Sequence, residues 1–343
     1  MASKIRNRTA AIMLVLALAA MPVSAAAQEL VPGGKAIGIR MTTQGVVVAG
    51  VSEVESGGVK KSPAAEAGIA PGDVIVRLGP AQINSAADFI AAVAKLDGTP
   101  VAVQVTRQGK TKQFTVTPAK DADGKLRLGL WLRDGVTGVG TVTFYDPASG
   151  VYGALGHGIT DTDTGVLLPL GEGSVSKAAV TGLTKGESGK PGQLDGSSDI
   201  SSSCGSILMN TEYSIFGIMQ SGSVEGDPIE CGTIKTGPAA ILTTISGDTA
   251  KECSIEVNRV YHDTDGDRVM ITVTDKALLA ATGGIVQGMS GSPIIQGGNL
   301  VGAVTHVFVN DPTHGYGLSI QDMIATAKAC LDKAALSPTI KKE

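Results

Sequence analysis

Beyond Leu126 the chain is written almost entirely in short alternating runs. VTGVGTVTFYD, GVLLPLGEG, RVMITVTD and GGNLVGAVTHVFV follow one another between clusters of Gly, Asp, Ser and Pro, and no long amphipathic helix appears until DMIATAKACLDKAA near the end. A period of two puts one face of each strand into a core, and many such strands joined by turn residues fold into a barrel or a sandwich. With 46 glycines and only 3% aromatic residues, the composition suits glycine-punctuated β structure better than an aromatic-filled helical bundle.

The first residues stand apart from this pattern. Lys4, Arg6 and Arg8 precede the apolar run AAIMLVLALAAMPV, and Ala25 and Ala27 occupy the small-residue positions before Gln28. A basic start, a short apolar centre and an Ala-x-Ala site make residues 1–27 an export signal, cleaved or retained as an anchor. The run is short for a membrane span of about 20 residues. Its removal takes the formal net charge from −4 to −7. A mildly acidic exported chain with no basic run is a poor partner for nucleic acid or anionic lipid, so membrane association is expected only through the N-terminal segment.

Cofactor and metal motifs fail on spacing. In GESGKPG the first glycine of a phosphate loop would fall at Thr184, and Pro191 stands where Ser or Thr is needed. In DTDGD, Gly266 is two positions too early for a calcium loop and Thr274 replaces the bidentate Glu. Both read as turns, and no cofactor or metal is expected. Cys204, Cys231, Cys253 and Cys330 are widely spaced, without a CxxC pair, and fit either disulfides or free thiols.

Residues 33–119 read as a small α+β unit. A short helix at 63–68 is followed by a turn at Pro71-Gly72 and a strand at 73–78. A helix near 85–96 comes next, N-capped by Ser85, with Phe89, Ile90, Val93 and Leu96 at helical spacing; two strands then face each other across Gln108-Gly109. The AIGIR stretch (36–40) and the SPAAEAGIAPGDVIVRLG block (62–79) resemble a PDZ domain. That resemblance implies a peptide added as a strand, its carboxylate held by the backbone amides of Ile37, Gly38 and Ile39. An empty packing module is the plain alternative. KDADGK (120–125) reads as a linker or loose hairpin before the second unit, residues 126–335.

In GMSGSP (288–293) Gly288 permits a sharp turn, so that the amides of Gly288 and Ser290 converge on one point, as an oxyanion hole requires. Position 292 is Ser, so the string is not the elbow of α/β-hydrolases. Ser292 is the rival nucleophile. Four histidines compete for the base. His157, between Gly156 and Gly158 at a strand end, is best placed to turn into a cleft; His262 and His314 sit in polar turns, and His306 lies on a strand after the nucleophile.

The order His157 then Ser290, with GHGI-x-D, GG-x-VQGMSGSPI and the NDPT-x-GYG tail, resembles the SpoIVB peptidase family over nearly the whole chain after the signal. The resemblance implies a mainly β protein, a PDZ domain followed by a chymotrypsin-like double β-barrel serine peptidase. It also implies a catalytic acid at Asp275, 15 residues before the serine; Asp161 and Asp163 compete, and an N-cap of the following helix is the structural alternative for Asp275. By the same resemblance the substrate is a membrane-associated regulatory protein between forespore and mother-cell membranes. Its cleavage would relay a signal toward a late sigma factor, and the enzyme would cut itself near its N-terminus. The PDZ unit would take a substrate tail or the enzyme's own segment. Two other readings remain: an inactive peptidase-like PDZ adaptor, and a general quality-control protease of the HtrA kind, in which the PDZ follows the catalytic domain.

Overall fold

The computed structural model describes residues 28–263 and 266–336; residues 1–27, which read as an export signal, lie outside them. Strand β1 (Glu29–Pro32) is followed by β2 (Ala36–Val51), a 16-residue strand. The next unit holds helix α1 (Pro63–Glu66), β3 (Val74–Leu78), helix α2 (Ala86–Val93), β4 (Val101–Arg107) and β5 (Lys110–Val116). Ser85 caps α2 through a bond from the Asp88 amide, and β4 and β5 form the expected hairpin, with Gln108 at φ 51° in its turn. Residues 119–120 and 126–127 pair as a small hairpin. Val46, Val48, Ile75, Phe89, Val103, Val105 and Val116 make this unit's core. Its PGD turn is fixed by Asp73, fully buried and gripped through both oxygens by Arg107.

β6 (Leu130–Tyr145) then pairs along β2 over nearly its whole length, from Leu130 opposite Val51 to Thr141 opposite Ala36. With β7 (Val151–Ala154), β8 (Leu170–Thr184), β9 (Gln193–Asn210) and β10 (Ile215–Met219) it closes a ring in the order β2-β6-β7-β10-β9-β8, β8 returning to β2. This is a six-stranded antiparallel barrel. A second one follows: β11 (Gly237–Thr243), β12 (Lys251–Asp263), β13 (Gly266–Val273), β14 (Pro293–Gln296), β15 (Asn299–Phe308) and β16 (Asp311–Ser319), closed in the order β11-β12-β13-β16-β15-β14. Helix α3 (Lys276–Thr282) interrupts it before β14. Helix α4 (Ile320–Leu336) packs Met323, Ile324 and Ala327 against Phe144 and Phe216 of the first barrel. Each barrel has its own apolar core, and burying one such side chain stabilises the fold by about 1.5–3 kcal/mol.

The fold class is the expected one, mainly β, a small α+β unit joined to a double β-barrel. The joint between its parts is not where a linear division at residues 119–126 would put it. β2 and β6 each serve both units: Ala36–Thr42 and Gly135–Thr141 are neighbouring strands of the first barrel, whereas Val47–Val51 and Leu130–Arg133 belong to the PDZ sheet. The PDZ unit is thus an insertion within the first barrel. Met41, Val47, Val74 and Leu168 fill the joint. No disulfide joins the four cysteines, and burial pushes the Cys231 thiol up to about 11.

Candidate active site

The two barrels face each other across a cleft of about 1060 Å³, and Ser290, Gly288, His157 and His306 all line it. Ser290 is half-buried in the turn between α3 and β14. That turn is pressed onto the first barrel at Gly291, whose φ is +92° and where a Cβ would fall 2.2 Å from the Thr141 oxygen. Only glycine fits there. Two buried threonines of β6 fasten the turn: Thr141 Oγ donates to the Gly288 carbonyl and Thr143 Oγ to the Gly291 carbonyl, both at 2.8 Å. The Thr141 amide donates to the Ser290 carbonyl at 3.3 Å. With these carbonyls tied back, the amides of Gly288 and Ser290 donate to no other group among the described residues. An oxyanion hole needs this arrangement. Ser292 is fully buried, away from any substrate.

His157 follows Leu155, which holds φ +76°, a conformation that costs a residue with a side chain on the order of 1–3 kcal/mol and is kept only where the surroundings enforce it. The His157 Nδ1 lies 2.9 Å from the Gly158 carbonyl. A carbonyl only accepts, so Nδ1 carries the proton and Nε2 is left with its lone pair, the form a general base needs. Burial pushes the His157 pKa below its ordinary value, partly opposed by the bond to Gly158. The ring of His306 stands 5.0 Å away at 35°; desolvation, then the charge of His157, lowers its pKa too. Ser290 Oγ and His157 share the cleft without a hydrogen bond between them, a looseness common before substrate binds.

None of the three candidate acids reaches His157. Asp275 is the N-cap of α3: its carboxylate accepts the Leu278 amide at 2.7 Å and lies off the cleft lining. The orienting role that the family resemblance implies for Asp275 is not seen in this structure: the chain turns into α3 at this residue and directs the side chain at its own first turn. Asp161 is fully buried and paired with Arg133 at 2.8 Å; Asp163 meets the same guanidinium at 2.7 Å. The group that orients His157 is the Gly158 carbonyl.

The PDZ carboxylate site also moves. Ile37, Gly38 and Ile39 sit mid-strand in β2, between β6 (Gly140, Val139, Gly138) and β8 (Lys177, Ser176, Val175), so their backbone groups are committed to ladders on both sides. A Cβ on Gly38 would fall 2.3 Å from Ser198 Oγ, so this glycine gives clearance inside the barrel wall. Ile39 lines the catalytic cleft. Within the PDZ unit a groove of about 1080 Å³ lies between α2 and the segment Leu128–Leu132, with Phe89, Val93, Leu128, Gly129 and Leu130 in its wall. There the amides of Leu128 and Gly129 donate to no described group.

His262 is exposed and bonded to Asp267, and His314 is bonded to Asp311, each a local turn contact. Among the described residues no three His, Cys, Asp or Glu side chains gather as metal ligands. Sequence reasoning missed Thr141, Thr143, Arg133 and the Leu128–Leu130 loop. The first two had a signal: threonines alternating with the core-facing Gly140 and Val142 of the same strand.

The family model described as SpoIVB peptidase S55 matches residues 124–324, and a PDZ domain model matches residues 36–117. Among solved structures the chain is similar to the Rv3671c protease of M. tuberculosis in its active form, at 15% identity with a TM-score of 0.35, over 57% of this chain and 74% of that one. The inactive form of Rv3671c protease matches at 14% identity and TM-score 0.33, over 56% and 84%.

Proposed function

We propose, for a chain that belongs to the SpoIVB peptidase family and is a serine endopeptidase with a PDZ domain, that Ser290 and His157 carry its chemistry. The observation behind this reading is the convergence of Ser290, His157 and two unengaged amides on one cleft. Ser290 Oγ attacks the scissile carbonyl while His157 Nε2 takes its proton. The oxyanion of the tetrahedral intermediate settles on the amides of Gly288 and Ser290, each contributing about 3 kcal/mol. His157 returns the proton to the leaving amine, and a water molecule, deprotonated by the same nitrogen, releases the acyl group. The Gly158 carbonyl holds the ring in the right tautomer.

The PDZ groove receives a free carboxyl terminus, from a protein substrate or from another segment of this chain, on the amides of Leu128 and Gly129. The peptide lies along the free edge of β6 at Leu130–Leu132. Family membership supports the finer reading: an exported, self-processing enzyme, held at the membrane or released, that cuts a membrane-associated regulatory protein in the space between forespore and mother cell and so relays activation of a late sigma factor.

The test is fluorophosphonate labelling of the chain beginning at Gln28. Wild type should label, Ser290→Ala and His157→Ala should not, and only wild type should shorten its own N-terminus on incubation of the full-length chain. Labelling that survives Ser290→Ala would move the nucleophile elsewhere. A folded, unlabelled wild type would favour the adaptor reading. Because burial lowers the His157 pKa, the base stays neutral further into acid, so the acid limb of the labelling rate should have its midpoint below about 6.5, the value of a free histidine.

A further inference from the structure

β6 leaves the PDZ groove and enters the first barrel without interruption. At the crossing stand two consecutive residues whose side chains go to opposite units. Asp134 reaches the PDZ unit: its carboxylate accepts the Ala86 amide at 2.8 Å, at the first residue of the groove helix α2. Arg133 reaches the peptidase: its guanidinium meets Asp161 at 2.8 Å, Thr162 Oγ at 2.9 Å and Asp163 at 2.7 Å.

The three partners of Arg133 form the turn that follows His157. Asp161 organises that turn, accepting from the amides of Asp163 and Thr164 and from Thr164 Oγ. The turn is closed by the pairing of Thr160 with Leu167, next to Ile159 and to Gly158, whose carbonyl orients the His157 ring. Arg133 and Thr162 themselves line the catalytic cleft. The β2–β6 ladder changes register between Trp131 and Leu132 and again between Arg133 and Gly135, so the backbone carrying Arg133 is not locked by a regular ladder.

We infer that Arg133 is a positioning residue that couples the seat of the groove helix to the seat of His157. A peptide added to the edge of β6 wedges between Leu130–Leu132 and α2, the two features that Asp134 ties together; any displacement of Asp134 is passed to its neighbour, and Arg133 delivers it to the histidine turn. The groove thereby adjusts how His157 addresses Ser290, a pair that shares the cleft without a bond. The inference rests on the protease reading above for its consequence and on the Arg133 contacts for its mechanism. A shared strand alone would be only an arrangement in space, so the coupling has to be measured as a free energy between two sites.

The experiment is a double-mutant cycle in the chain from Gln28, with Asp134→Ala and Arg133→Met made singly and together. Two readouts are taken: the rate of fluorophosphonate labelling, and amide hydrogen exchange across residues 158–166. Asp134→Ala alone, which touches only α2, should slow labelling at least fivefold and speed exchange in 158–166. In the Arg133→Met background the same change should add less than twofold to either. Arg133→Lys, which keeps the charge and loses the fork, should retain part of the coupling, a rescue that loss of packing alone would not give. Effects that simply multiply, or exchange in 158–166 that Asp134→Ala leaves unmoved, would overturn the inference. Should wild type fail to label, the protease reading fails, and the exchange cycle still decides the coupling. Where Asp134→Ala does not fold, Asp134→Asn, which keeps a neutral acceptor, takes its place with the same expected sign.

Discussion

Ile37-Gly38-Ile39 and Leu128-Gly129-Leu130 spell the same pattern, apolar–Gly–apolar, on two strands or their approaches that pair with each other, and they do opposite things. The first is mid-strand with a neighbour on each side, its glycine there to clear Ser198. The second is a bend at the mouth of a groove, with Gly129 at φ +70° and two amides left to face a ligand. What separates them is where the backbone hydrogen bonds go, which is a matter of partners and not of spelling.

That contrast can be broken or sharpened by substitution. The largest effect should come at Gly38→Val, where the added atoms have no room beside Ser198 and Ser176. A cost of about 3 kcal/mol is expected, seen as a fall in thermal midpoint of roughly 6–12 °C. A midpoint unchanged by that substitution would mean that β2 is not clamped as described. Gly129→Ala should act on binding. Alanine there is forced into a left-handed bend, at about 1–2 kcal/mol, and its Cβ would fall 2.4 Å from the Ser52 carbonyl oxygen, so the bend must shift and a free-carboxylate peptide selected against wild type should lose at least about tenfold in affinity by fluorescence anisotropy. The smallest effect should come at Asp275→Asn, since Asn caps a helix as well as Asp. Stability should stay within about 0.5 kcal/mol and the labelling rate within threefold. A hundredfold loss of labelling with the fold intact would return Asp275 to the role of catalytic acid.

Much of this molecule is legible in its sequence, in the places where structure is local. The barrel strands announce themselves by alternation, α2 by Ser85 and the spacing of its apolar face, the β4–β5 hairpin by Gln108-Gly109, and the nucleophile turn by GMSGSP. What the letters do not carry is long-range pairing. Nothing near AIGIR says that its partner strand lies a hundred residues on, and so the letters do not tell this barrel strand from a peptide-binding one. The same holds for Asp275: a distance of 15 residues fixes no direction for a carboxylate, and a helix start within reach of its own amide captured it. Arg133 was equally invisible, because its importance comes from what its neighbour touches.

The shared strands have a consequence for how the chain reaches this form. Residues 36–42 and 135–141 must find each other to close the first barrel, and bringing such distant segments together costs loop entropy that slows folding. The inserted unit carries the continuation of both strands. Once Val47–Val51 and Leu130–Arg133 are zipped within it, the two barrel staves leave it side by side. The PDZ unit is in this sense a built-in splint for the double barrel, and excising residues 33–119 would remove a stave along with the splint. A truncated chain that loses activity would then report failed assembly and not a missing ligand site.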